Sequence, residues 1–376
     1  MMKFDVAIVG AGSMGMAAGY FLARQGKNVV LIDAFDPPHH NASHHGETRI
    51  IRYAYGEGEQ YVPLALRAKA LWDELEQESG QRIFLETGVL NIGARDSSFI
   101  KMLIASAEKH QLPIEILDSE QVRNRYPGVT IPEHFIACLE SSSGVLKCED
   151  AIGAYKALAI KQGATLLCHH PVSHISLSDN QVTLEAKDKT IQAAKLIVCA
   201  GAWSEKLLKK MDLELPLTAI RKTFAWFDAD SALYGEGVLP AFTFNTPEAI
   251  HYGFPSIDNA GLKLGRHDGP QQRQEPEQPI SSFSREHDSP DLTRFLQSYL
   301  PQVGSLKVGK TCMYTMTPDE NFIIDTHPAH PHVVIAAGFS GHGFKFSSVV
   351  GEILGELALT GTSRHNISPF SLSRFA

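Results

Sequence analysis

The sequence predicts an α/β protein with an α+β division into two domains, one a doubly wound, Rossmann-like sheet and the other a mixed or antiparallel sheet. Three patterns predict it. Phe4 to Asp36, "FDVAIVGAGSMGMAAGYFLARQGKNVVLIDAFD", reads as a short apolar strand, a glycine turn, a helix of small and apolar residues, and a strand ending in Asp33. The runs "KLIVCAGAW" and "VVIAAGF" are continuously apolar, as strands buried on both faces are. Between about residues 216 and 310, alternating stretches such as "TFAWFDAD" and "IHYGFP" replace that pattern.

The first unit has the spacing of a dinucleotide fingerprint. Gly10 permits the tight turn, Gly12 lets the backbone approach a pyrophosphate, and Gly15 lets the helix lie close to the strand. Ser13 and Met14 open the helix, whose free N–H groups suit an anion. Asp33 stands where a carboxylate accepts hydrogen bonds from a ribose diol, which favours NAD or FAD over NADP. The motif does not choose between those two.

"YVPLALRAKALWDELEQESG" is helical, with Leu64, Leu66, Leu71, Trp72 and Leu75 forming an apolar face. "AIGAYKALAIKQGATLLCHHPVSHISL" reads as helix, turn at Gly163 and strand, and "GPQQRQEPEQP" as a solvated linker. The expected organisation is a discontinuous cofactor domain (1–80, 150–215 and 319–376) and a substrate domain (81–149 and 216–318). The 34 Lys and Arg against 42 Asp and Glu, a formal charge of -8, oppose binding to a phosphate backbone. Nucleic acid is not an expected partner. The five cysteines lack C-x-x-C spacing, so neither a disulfide framework nor a zinc site is expected, and a reducing cytoplasm fits. No apolar run reaches the roughly 20 residues that span a bilayer, and neither end reads as a targeting signal.

"HHNASHHGETRIIRYAYGEG" gathers four histidines and two arginines, but adjacent histidines point apart in an extended chain and no ligand set is complete, so no metal is expected. Arg49 and Arg52, three apart, can share a helical face, either binding a carboxylate or pairing with surface acids. "GFSGHGFKFSS" places Gly341, Gly343 and Lys345 before a helical run, a positive site suited to an anion or to the N1 and C2 carbonyl edge of a reduced flavin. Lys263, alternating with leucines in "GLKLGRH", reads by spacing alone as a solvent-facing strand lysine. Cys312, in "TCMYT", reads by itself as a small buried hydrophobe.

Together "GAGSMGMAAGY", "SHHGETRIIRYAYGEGEQYVPLALRA", "YGFPS", "LKLGRH", "TCMYTMTPDENFIIDTHP" and "AAGFSGHGFKFSS" resemble the monomeric sarcosine oxidase family, over nearly the whole chain. Members are flavin enzymes that oxidise secondary amino acids, N-methyltryptophan oxidase and pipecolate oxidase among them. The resemblance implies FAD attached covalently through Cys312, a substrate carboxylate held by Arg52 and Lys345, and oxygen activation by Lys263. It also implies a pocket lined by Tyr252, Tyr314 and His267, with Arg49 near the flavin ring and Thr48 in its binding loop. Val172 is placed with the cofactor too. The implied reaction converts sarcosine, oxygen and water to glycine, formaldehyde and hydrogen peroxide, in a monomer. Tyr53, His251 and Thr243 depart from the sarcosine branch; the segments "FAWF" and "PAFT", the second ending in Thr243, resemble the N-methyltryptophan branch. The competing readings are N-methyltryptophan or pipecolate oxidation, an NAD-dependent dehydrogenase, and a flavin-binding sensor without catalysis.

Overall fold

In the computed structural model, which describes residues 1–269 and 272–375, the first sheet is built on the predicted N-terminal unit. Met2–Val9 lies between Val29–Ile32 and Lys189–Val198, parallel to both. Thr165–Leu167 and Val333–Ala337 extend the parallel set at either side. A meander of Val172–Ser178 and Gln181–Ala186 runs antiparallel on the first half of Lys189–Val198, and Ile323–Thr326 pairs antiparallel with Val333–Ala337. Alternation sends Val6 and Ile8 into one core with the helices, and Ala7 and Val9 into another on the opposite face. Both faces are covered, so these strands read as unbroken apolar runs.

The helices Ser13–Arg24, Cys148–Lys161 and Ser347–Thr360 pack together on the first face. Val62–Ser79 joins them through Leu64, Leu71, Trp72 and Leu75, whose i, i+3, i+4 spacing makes the stripe. Leu66 does not belong to it. At 41% exposure it points to solvent, since it lies about 200° around the helix from Leu64.

The second sheet takes strands from two distant stretches. Val89–Ala94, Glu115–Leu117 and Phe135–Glu140 come from one; Thr218–Phe227, Ala241–Asn245, Ile250–Phe254, Leu262–Arg266 and Leu306–Met316 from the other. They join where Ala241–Asn245 runs parallel to Val89–Ala94, and the other pairings are antiparallel. One face packs Phe227, Phe242, Phe244 and Leu264 against helix Arg285–Tyr299. By register, the other face carries Asn91, Thr243, Tyr252, Lys263, Trp226, Phe224, Cys312 and Tyr314. Within the expected solvated linker, Gln272 and Arg273 instead form a short strand against Ile220 and Arg221, while Pro270 and Gln271 lie outside the described residues.

A three-stranded sheet of Thr48–Ile51, Gly144–Lys147 and Phe84–Leu85 completes the set among the described residues. Arg49 therefore sits in a strand, and no helical face joins it to Arg52. The run "TRII" has three β-branched residues in four, which suits a pleated surface better than a helix.

Candidate active site

A cavity of about 550 Å³ is lined by the glycine turn, by the coil before Thr48–Ile51, by the inner face of the second sheet, and by residues 338–345. At its first end lie Gly10, Gly12, Ser13, Met14, Asp33 and Val172. Helix Ser13–Arg24 begins there with no side-chain cap, leaving its first N–H groups for another acceptor. Two of the three fingerprint glycines differ physically. A Cβ at Gly15 would lie 1.9 Å from the Gly10 carbonyl oxygen, so the fold itself requires glycine there. At Gly12 the nearest atom would be His44 Nδ1 at 3.8 Å, and the added carbon would only occupy the cavity wall. Packing does not require glycine at position 12, and the open backbone there fits the close approach of a pyrophosphate.

The Asp33 carboxylate accepts from Ala11 N–H at 2.8 Å and Phe35 N–H at 2.9 Å. Those bonds fix its oxygens at the end of the second strand while it still lines the cavity. The residues present fit a dinucleotide whose adenosine ribose carries no phosphate.

The rest of the cavity is strongly cationic. Arg49 donates to the carbonyls of Thr48 (2.8 Å), Ser43 (2.9 Å) and His45 (2.8 Å), with no ion-pair partner among the described residues. Arg52 is 5% exposed, pairs with Glu57 and lies 4.6 Å over the Tyr55 ring. Lys345 Nζ donates to Tyr55 Oη at 3.1 Å and to the His342 carbonyl at 2.9 Å. Burial and then the Arg52 charge pull its pKa down to about 7. Three cations thus share the cavity wall with Glu57. Burial and its neighbours Arg52, His342 and Lys345 act oppositely on Glu57, and the cations prevail, holding it at about 2.

Tyr252, Tyr314 and His267 line the same space. Burial lowers His267 to about 4 and raises Tyr252 to about 12, so the ring and the phenol are neutral at pH 7. Gly341 passes flat against Tyr314: its φ is +80° and a Cβ would come within 2.1 Å of the ring. Gly343 lines the cavity beside it.

Lys263 is 2% exposed, which overturns a solvent-facing reading. Its Nζ donates to the Gly46 carbonyl and to Thr48 O and Oγ1 at 3.0 and 3.1 Å, within 5.3 Å of the rings of Phe224, Trp226 and Phe254. Burial, then Arg49, lowers its pKa to about 7. Lys263 and Thr48 line a second recess of about 670 Å³ with Trp226, Phe254 and Lys310. Cys312 lines neither space. It is 1% exposed, packed with Phe224, Trp226 and Tyr314, and burial raises its thiol pKa against the opposing charges of Arg49, Lys263 and Lys222.

Sequence reasoning missed three partners. Glu57 was within reach as the acid of "YGEGE" five residues past Arg52, whereas Tyr55 and Lys222 become visible only from packing and register. All five cysteines are free, and no cluster of three or more potential metal ligands occurs among the described residues. No helix among them is long and apolar enough to cross a membrane.

Residues 5–357 match the model of a family described as "FAD dependent oxidoreductase". The chain is 50% identical to monomeric sarcosine oxidase of Bacillus sp. (strain B-0618), over 99% of this chain and 96% of that one. It is 44% identical to N-methyl-L-tryptophan oxidase of Salmonella enteritidis PT4 (strain P125109), over the whole of both. The crystal structure of L-proline dehydrogenase from P. horikoshii superposes with a TM-score of 0.88 at 20% identity, covering 100% of this chain and 98% of that one, a likeness of fold.

Proposed function

This chain belongs to the FAD dependent oxidoreductase family and is an FAD-dependent enzyme, and from that premise we propose that it oxidises N-methyl amino acids, with sarcosine the first substrate. The observation that carries the proposal is the pair of buried cations, Arg52 and Lys345, beside a cavity whose other end fits a dinucleotide. FAD, when bound, supplies the two-electron acceptor for the carbon next to the amine and passes those electrons to oxygen.

The residues of the chain bind and orient. Gly10, Gly12, Ser13, Met14 and Gly15 form the pyrophosphate turn, Asp33 takes the ribose, Val172, Gly341 and Gly343 complete the cradle, and Thr48 joins it from the neighbouring recess. Arg52 and Lys345 hold the substrate carboxylate, so the N-methyl carbon is presented in one orientation. The surrounding positive charge disfavours the substrate ammonium and so favours the free amine that oxidation needs. Tyr252, Tyr314 and neutral His267 close the pocket without adding charge. Lys263, when protonated, offers a fixed positive charge to oxygen as it becomes anionic, and Arg49 supports it from the carbonyl cage.

Cys312 is proposed as the covalent attachment point of FAD. Its strand neighbour Tyr314 lines the cavity from the same sheet face, and four cations, Arg49, Lys263, Lys222 and Arg221, oppose the burial that keeps the thiol protonated. The division into a cofactor domain (1–80, 150–215, 319–376) and a substrate domain (81–149, 216–318) belongs to the same reading, as do a monomeric state and a cytoplasmic location. The testing experiment is peroxide release across N-methyl amino acids, cyclic imino acids and primary D-amino acids. Release with sarcosine supports the proposal; activity confined to the primary amines sinks it.

A further inference from the structure

The positions that depart from the sarcosine branch, Tyr53, His251 and Thr243, stand differently toward the cavity. Tyr53 is 4% exposed and its hydroxyl donates to the Ser142 carbonyl at 3.3 Å. The His251 ring stacks 4.3 Å from Phe295, on the helix-covered face of the sheet. Thr243 shares the inner face with Tyr252, its directly opposed neighbour, and lines the cavity with Phe99, Asn245 and Ile250; His251 borders the cavity too, but its ring goes to the opposite face of the sheet.

Beside Thr243, on the adjacent strand, lies Asn91, 0% exposed and paired with it in register. Thr243 Oγ1 donates to Asn91 Oδ1 at 3.0 Å, while Asn91 Nδ2 is buried without a partner. An amide half-satisfied in a sheet core costs stability that an apolar residue would not. With the amide in this orientation, its Oδ1 takes the only hydrogen of the Thr243 hydroxyl. That leaves lone pairs, an acceptor, at the cavity wall.

We propose that Thr243 is a specificity residue, accepting a hydrogen bond from an N–H or O–H donor on the substrate's α-substituent, with Asn91 positioning the hydroxyl. The inference rests on the N-methyl amino acid reading above and extends it, since sarcosine has no α-substituent to meet Thr243. A donor-bearing aromatic side chain, such as an indole, has the required chemistry.

The test compares kcat/KM of the flavin-loaded full chain for N-methyl-L-tryptophan and N-methyl-L-phenylalanine, before and after Thr243→Val and Thr243→Ser. The tryptophan-to-phenylalanine ratio is expected to fall about tenfold in Thr243→Val, the loss of one hydrogen bond, and to return in Thr243→Ser. An unchanged ratio in Thr243→Val overturns the proposal. Should Thr243→Val fail to load flavin, the unsubstituted chain is assayed with N-methyl-L-tryptophan methylated on its indole nitrogen. About a tenfold deficit supports the hydrogen bond, and parity overturns it. A chain that oxidises sarcosine but neither α-substituted substrate refutes Thr243 alone; one that oxidises none of the three refutes the parent reading.

Discussion

Replacing Arg52 by alanine should break substrate binding without breaking the cofactor site. Arg52 and Lys345 are the two cations assigned to the substrate carboxylate, and Arg52 is the one that cannot discharge, since Lys345 titrates near 7. Removing a buried, hydrogen-bonded partner of a carboxylate costs about 2–5 kcal/mol. Lys345 remains, which favours the lower half of that range, about 2–3 kcal/mol or about 30- to 150-fold in affinity. Glu57 also loses its partner and stays beside Lys345, where it opposes an incoming carboxylate. The assay is the Kd of acetate, followed by the perturbation of the flavin absorbance, together with KM for sarcosine. A change below about threefold in both would refute the assignment and move the carboxylate site elsewhere.

The titration of Lys345 gives a direction in pH. Its charge is present below about 7 and lost above, so acetate affinity should fall as pH rises through 7, levelling at what Arg52 alone supports; rising affinity would contradict this. Gly12→Ala should leave the fold intact and abolish flavin loading, because its Cβ meets nothing within 3.8 Å of the protein, and a normally yellow variant would refute the pyrophosphate assignment. Lys263→Met should leave anaerobic reduction of the flavin by sarcosine nearly unchanged and slow reoxidation by oxygen at least tenfold, as the loss of about 1.4 kcal/mol or more of transition-state stabilisation requires. Stopped-flow traces with normal reoxidation would remove that role. Cys312→Ser should release flavin into the supernatant on acid precipitation, whereas the unsubstituted protein keeps its colour in the pellet; release from both would return Cys312 to the core.

The N-terminal unit was legible because its chemistry is local: turn, helix start and terminal acid lie within about one βαβ span of sequence. The sheets are legible from their periods, continuous where both faces are covered and alternating where one face is expected to be wet. That second inference misled at Lys263. Alternation correctly set it opposite Leu262 and Leu264, but the face it joins is covered, so the lysine is buried rather than solvated. Spacing alone could not reveal the cover, which comes from residues 46–48, distant in sequence. Arg49 and Arg52 misled in the same way, since i, i+3 spacing suggests a helix only where β-branched neighbours do not impose a strand. Alternation puts Thr243 and His251 on opposite faces of the sheet, although both border the cavity.

The most direct test of the account is anaerobic mixing of the yellow protein with sarcosine, followed by admission of oxygen. The account predicts bleaching of the bound flavin, then recovery of colour with one hydrogen peroxide formed for each sarcosine consumed. A flavin that sarcosine, N-methyl-L-tryptophan and pipecolate all leave unbleached would contradict it.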